Sequence, residues 1–149
     1  MRDRLQQNRA RLAALLLVVT LAVGFTACDE NRYHQAAQAA NAYSFALATA
    51  QDVEIGLYKQ TMVSPDEHAQ VQQLFKETAL AGKELTLHIQ TAKDNQTVIT
   101  SLTVATDSLN RLLESGVLHI KNAEAQTSIR VALGSAKTAL ATIAALGKT

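Results

Sequence analysis

Val63-Ser64-Pro65-Asp66-Glu67 contains the only proline of the chain and marks the start of a helix. Ser64 can cap it, Pro65 stands at the first helical position where its missing N–H costs nothing, and Glu67 completes a capping box with Ser64. Small and apolar residues repeat at heptad spacing on both sides, so the pentapeptide divides two helices. Upstream run Tyr33, Ala36, Ala40, Tyr43, Leu47 and Ala50, then Glu54 as an interruption, then Leu57. Downstream run Val71, Leu74, Phe75, Thr78, Gly82, Leu85 and Ile89, ending at Lys93-Asp94-Asn95. The spacing predicts helices over about 31–59 and 65–92.

The pattern continues through Val98, Leu102, Ala105, Leu109 and Leu112 and stops at Ser115-Gly116-Val117. Gly116 is expected in the left-handed conformation that follows a helix, with Val117 folding back on Leu112. Thr97 to Val104 is rich in β-branched residues that also suit a strand. The spacing nevertheless runs unbroken into Leu109 and Leu112, which argues a helix over about 96–115. Asn122 is a cap for a last helix over about 122–146, with Glu124 in its first turn where the helix dipole favours an acid. Its apolar face is Ile129, Ala132, Leu133, Ala136, Leu140, Ile143 and Leu146. Four helices with short connections predict an all-α, antiparallel up-and-down four-helix bundle. With 21 alanines in residues 28–149, close approach of helix axes is expected.

The 149 residues carry 14 Lys+Arg against 13 Asp+Glu, and one Cys. A single Cys forms no internal disulfide, and no Cys/His spacing suits zinc or an iron–sulfur cluster. There is no basic stripe to release counterions from nucleic acid, so no nucleic-acid partner is expected. The charges are unevenly placed, because Arg2, Arg4, Arg9 and Arg11 precede an uncharged apolar run from Leu12 to Cys28. This order is that of an export signal, and the run falls short of the roughly 20 residues of a membrane-spanning helix. Without residues 1–27 the chain is mildly acidic, with ten Lys+Arg and twelve Asp+Glu.

Phe25-Thr26-Ala27-Cys28 resembles the lipobox of bacterial lipoproteins. Thr26 and Ala27 match the small residues of that pattern, and Phe25 stands where it usually has Leu. The resemblance covers residues 1–28 only. It implies removal of a signal peptide of residues 1–27, a thioether-linked diacylglycerol on Cys28, and usually an acylated amino group, leaving residues 28–149 as a lipid-anchored domain facing the periplasm. Two or three acyl chains exceed what stable anchoring requires. An uncleaved signal anchor with an unmodified Cys28, and ordinary cleavage near Gly24 or Ala27, are the competing readings. Asp29 resembles the residue that retains lipoproteins in the inner membrane of enteric bacteria, a rule that varies between groups, so the choice of membrane stays open.

Catalytic and cofactor chemistry find little purchase. The chain has no Gly-x-Ser-x-Gly elbow, no phosphate loop and no Glu-x-x-His pairs for a di-iron bundle, and neither enzyme nor cofactor is expected. Glu84 and His88, four residues apart on one helix, are the nearest approach to a metal site and read more simply as a solvated polar pair. His34, His68 and His119 are expected to be exposed or capping. The expected role is binding or scaffolding, with an envelope protein or the cell wall as partner. Phe45, Ile55, Tyr58 and Leu80 are candidates for its surface unless they fill a wider core. The alternatives are a membrane-active protein acting through Val131 to Leu146, where Lys137 would be costly in hydrocarbon, and a bundle holding a small molecule or metal with Glu84, His88 and His119.

Overall fold

Helices form where the heptad series run: α1 Asp29–Lys59, α2 Pro65–Thr91, α3 Asn95–Arg111 and α4 Ala123–Leu146. The computed structural model describes residues 29–91 and 94–147, and the expected signal segment with Cys28 lies outside them. From Arg32 onward the chain is one compact unit, an all-α four-helix bundle. Residue pairings establish the directions. Tyr43 meets Thr78 and Glu54 meets His68, so α1 and α2 are antiparallel. Thr78 meets Ser108 and His88 meets Ser101, so α2 and α3 are antiparallel. The Lys121 N–H reaches Glu67, which brings the start of α4 beside the start of α2.

The stripes identified from spacing form most of the core, although Tyr33 is exposed and Leu57, Ala132 and Leu146 are half-buried. Ala36, Ala40, Tyr43, Leu47 and Ala50 of α1 are buried, as are all seven residues of the α2 series. Glu54 does not break the stripe, because it is itself completely buried. In α3 the stripe shifts by one residue at its start: Ser101 is buried while Val98 and Leu102 are half-buried. Residues 97–104 are helical, and Thr100, Ser101, Thr103 and Thr106 donate their hydroxyls to carbonyls four residues back. That local bonding accommodates residues with strand preference on a helix. Asp94 caps α3, its carboxylate accepting from the Thr97 N–H at 2.8 Å, and Asn122 caps α4, accepting from the Ala125 N–H at 2.9 Å.

The closest approach of the helices is not at the alanine-rich α1. α2 and α3 bring their backbones nearest to each other. There the buried Thr78 hydroxyl forms a bifurcated bond, 2.7 Å to the Leu74 carbonyl and 3.1 Å to the Ser108 carbonyl across the interface. Gly82 receives the ring of Tyr43: a Cβ at Gly82 would stand 2.4 Å from Cε1 of that ring. The alanines of α1 do not draw its backbone as near to the others, because Tyr43 fills the space between α1 and α2. The Tyr43 hydroxyl donates to the Thr78 carbonyl at 3.3 Å, and burial raises its pKa above the ordinary phenol value.

Gly116 departs from expectation. It has φ −106°, and no glycine among the described residues has positive φ, so α3 ends without a left-handed cap. Leu112–Gly116 forms a π-helical turn, followed by a 3₁₀ turn over Val117–His119. Glycine is needed there for room, since a Cβ would stand 2.9 Å from Cδ1 of Leu74. The left-handed cap belongs instead to the end of α1, where Thr61 has φ 61° and the Met62 N–H bonds to the Leu57 carbonyl at 3.0 Å. This is a Schellman ending with threonine in the place glycine usually takes.

The box at Ser64 forms and extends beyond its own helix. The Ser64 N–H donates to Glu67 Oε2 at 2.8 Å, the Glu67 N–H approaches Ser64 Oγ at 3.4 Å, and Oε1 of Glu67 accepts from the Lys121 N–H at 2.9 Å. The Ser64 backbone bond first, and then the Lys121 backbone bond, hold the Glu67 carboxyl below its ordinary pKa. Stability from this group is therefore complete above the unfolded carboxylate pKa and is lost as pH falls through the folded one. Glu67→Gln should unfold at lower urea than wild type at neutral pH, and the two midpoints should converge on acidification. At Gly82→Ala, better helix propensity gains about 1 kcal/mol and overpacking against Tyr43 costs about 1–3 kcal/mol. Calorimetry should show net destabilisation.

Candidate functional site

The most constrained chemistry lies between α1 and α2. Glu54 has no exposure to solvent, and a buried carboxylate persists only when donors replace its water. His68, one turn into α2, supplies Nδ1 at 2.8 Å from Oε1 and 3.1 Å from Oε2. Gln72, one turn further, donates Nε2 to Oε2, and its own Oε1 accepts from Gln51 Nε2 at 2.6 Å. Tyr58 stacks on the His68 ring with centroids 3.9 Å apart and planes within 4°. His68 and Gln72 are spaced i,i+4, as are Glu54 and Tyr58, so each helix presents one face to the other.

The set is a carboxylate–histidine pair whose imidazole keeps a quarter of its side-chain surface in solvent. The carboxylate fixes Nδ1 as the donor, which leaves Nε2 as the acceptor, the arrangement that orients histidine for metal binding or proton transfer. Among the described residues no group of three or more His, Cys, Asp or Glu side chains is placed to hold a metal ion. The visible work of the pair is to fix the register of α1 on α2.

The structure separates the other candidates. Glu84 is exposed, whereas His88 is half-buried and turns Nδ1 to Ser101 Oγ. The Ser101 hydroxyl itself donates to the Thr97 carbonyl at 2.8 Å, so Nδ1 of His88 is the donor between them. His34 is exposed and bonds to Gln38, and His119 is exposed. His68 is the exception among the histidines expected at the surface. Phe45 is 77% and Leu80 56% exposed, while Ile55 and Tyr58 are half-buried. Val131 is 73% exposed and was not singled out by spacing. The buried pair also escapes a reading by spacing, because its members are 14 residues apart on two helices. The available signal was a charged residue in register with a core stripe.

Removing the donor of a buried carboxylate leaves it unsatisfied and costs about 1–3 kcal/mol or more, whereas replacing both partners by apolar groups of similar shape is close to neutral. His68→Ala should therefore destabilise strongly in urea titration, and Glu54→Met combined with His68→Leu should recover most of the loss.

Comparison with known proteins places the chain beside none of them: no family model, curated protein or solved structure matches it.

Proposed function

We propose that this chain is a lipid-anchored bundle of the bacterial envelope that faces the periplasm and acts by binding, as a docking or scaffolding module. The observation that carries the reading is Thr26-Ala27-Cys28 at the end of an apolar run, immediately ahead of α1 in the sequence. The membrane partner is engaged through lipid on Cys28, and the macromolecular partner is an envelope protein or the cell wall. Support for binding comes from large apolar side chains left in solvent, Phe45, Leu80 and Val131 foremost.

α4 is long and apolar enough to cross a membrane. Its apolar residues Ile129, Leu133, Ala136, Leu140 and Ile143 are buried in the bundle, and Lys137 is on its exposed side. Insertion would have to strip that face from the core, which favours binding over membrane activity.

The test is intact mass and detergent-phase partitioning of the full chain expressed in a bacterium, beside Cys28→Ala. The wild type should lose residues 1–27, gain acyl mass and enter the detergent phase, while the variant remains unprocessed. Retention of residues 1–27 by both, or cleavage of both to detergent-free protein, would overturn the tether.

A further inference from the structure

One seam of the bundle has two lysines and no acid in its lining. Along the outer seam of α1 and α2 lie two depressions of about 400 and 650 Å³ that share Gln51, Ala79 and Lys83 and so run into one another. No Asp or Glu lines either of them, although residues 28–149 carry more acids than bases. Lys76 and Lys83 are exposed there, and neither has an ion-pair partner among the described residues. Leu80 and Leu87, each more than half exposed, alternate with them along α2.

The polar lining is held in place. Gln72 is fixed by the buried Glu54 and in turn fixes Gln51. A second N–H of each amide is then left over at the seam. Prearranged donors and two unpaired ammonium groups select an anionic occupant, and the leucines between them select one that also carries apolar side chains. Lys76 and Lys83 are seven residues apart, roughly 10 Å along the helix axis.

We propose that this groove docks an acidic peptide segment of a partner protein, with carboxylates on Lys76 and Lys83 and apolar side chains on Leu80 and Leu87. The proposal rests on the binding role above and gives it a surface and a partner chemistry. It is independent of the fate of Cys28, so its failure leaves the mass measurement to judge the tether alone.

The test is fluorescence anisotropy of a fluorescein-labelled peptide of about a dozen residues composed of Glu and Leu in mixed order. It is titrated with the full chain in detergent, with Lys76→Glu/Lys83→Glu, and with wild type against the same peptide carrying Gln for Glu. Both lysines are exposed, and circular dichroism checks that the variant keeps its helices. Expected are saturable binding by wild type, weakening of about tenfold or more in the variant and with the Gln peptide, and loss of affinity as salt rises. Absence of binding, or equal affinity for the variant, would overturn the proposal. So would preferential capture of a carboxylated polysaccharide such as polygalacturonate over the peptide.

Discussion

A carboxylate deprived of water must be supplied with donors as the chain closes over it, and Glu54 imposes that demand on the first two helices. Its donors stand one turn apart on α2, so only one sliding position of α1 on α2 serves both. Tyr43 and Gly82 make the same register sterically exclusive further along the hairpin, because the ring fits only where a side chain is missing. A polar requirement at one end and a steric one near the middle thus select a single alignment. Leu and Ala stripes alone would tolerate slippage by a heptad. Donors that replace the water lost by a buried carboxylate bring little net stability, so the contribution of this contact is to uniqueness.

The hairpin then positions the rest. Thr78 sits between Tyr43 and α3, its carbonyl accepting from one and its hydroxyl reaching the other, so α3 is referenced to the α1–α2 alignment. At the opposite end Glu67 holds the Lys121 N–H, and Gln70 donates to the Ser115 carbonyl at 2.8 Å. Both bonds secure the passage from α3 to α4 against the first turns of α2. The cap that starts α2 therefore also anchors a segment some fifty residues away in sequence.

Much of this was legible in the residues because it is local. Pro65 with its capping box, Asn122 as a cap and the four apolar stripes depend on neighbours within one or two turns. What escaped depends on contacts between helices. Glu54 looked like an interruption because its partners lie on another helix, and His68 looked like a surface residue because no acid stands near it in sequence. Gly116 illustrates the same divide: glycine suggests a left-handed cap by default, but here the reason is the side chain of Leu74 from α2. For the candidate groove, Leu80 was visible as an unplaced apolar residue. That the lining shared by Lys76 and Lys83 contains no acid emerges only once α1 is laid beside α2.

The π turn at Leu112–Gly116 has a consequence for how the chain tolerates changes in length. A π turn accommodates one residue more than the α-helix around it. Each residue of an α-helix advances the chain by about 100°. Deleting one residue within 112–116 would return the turn to regular helix and leave Val117 and Ile120, both buried, near their present directions, whereas the same deletion within α2 would rotate every residue beyond it by about 100°. The segment is thus a phase adjuster: it lets the periodicity of α3 and the direction of α4 be set independently, and it makes this stretch more forgiving of a missing residue than the regular helices around it.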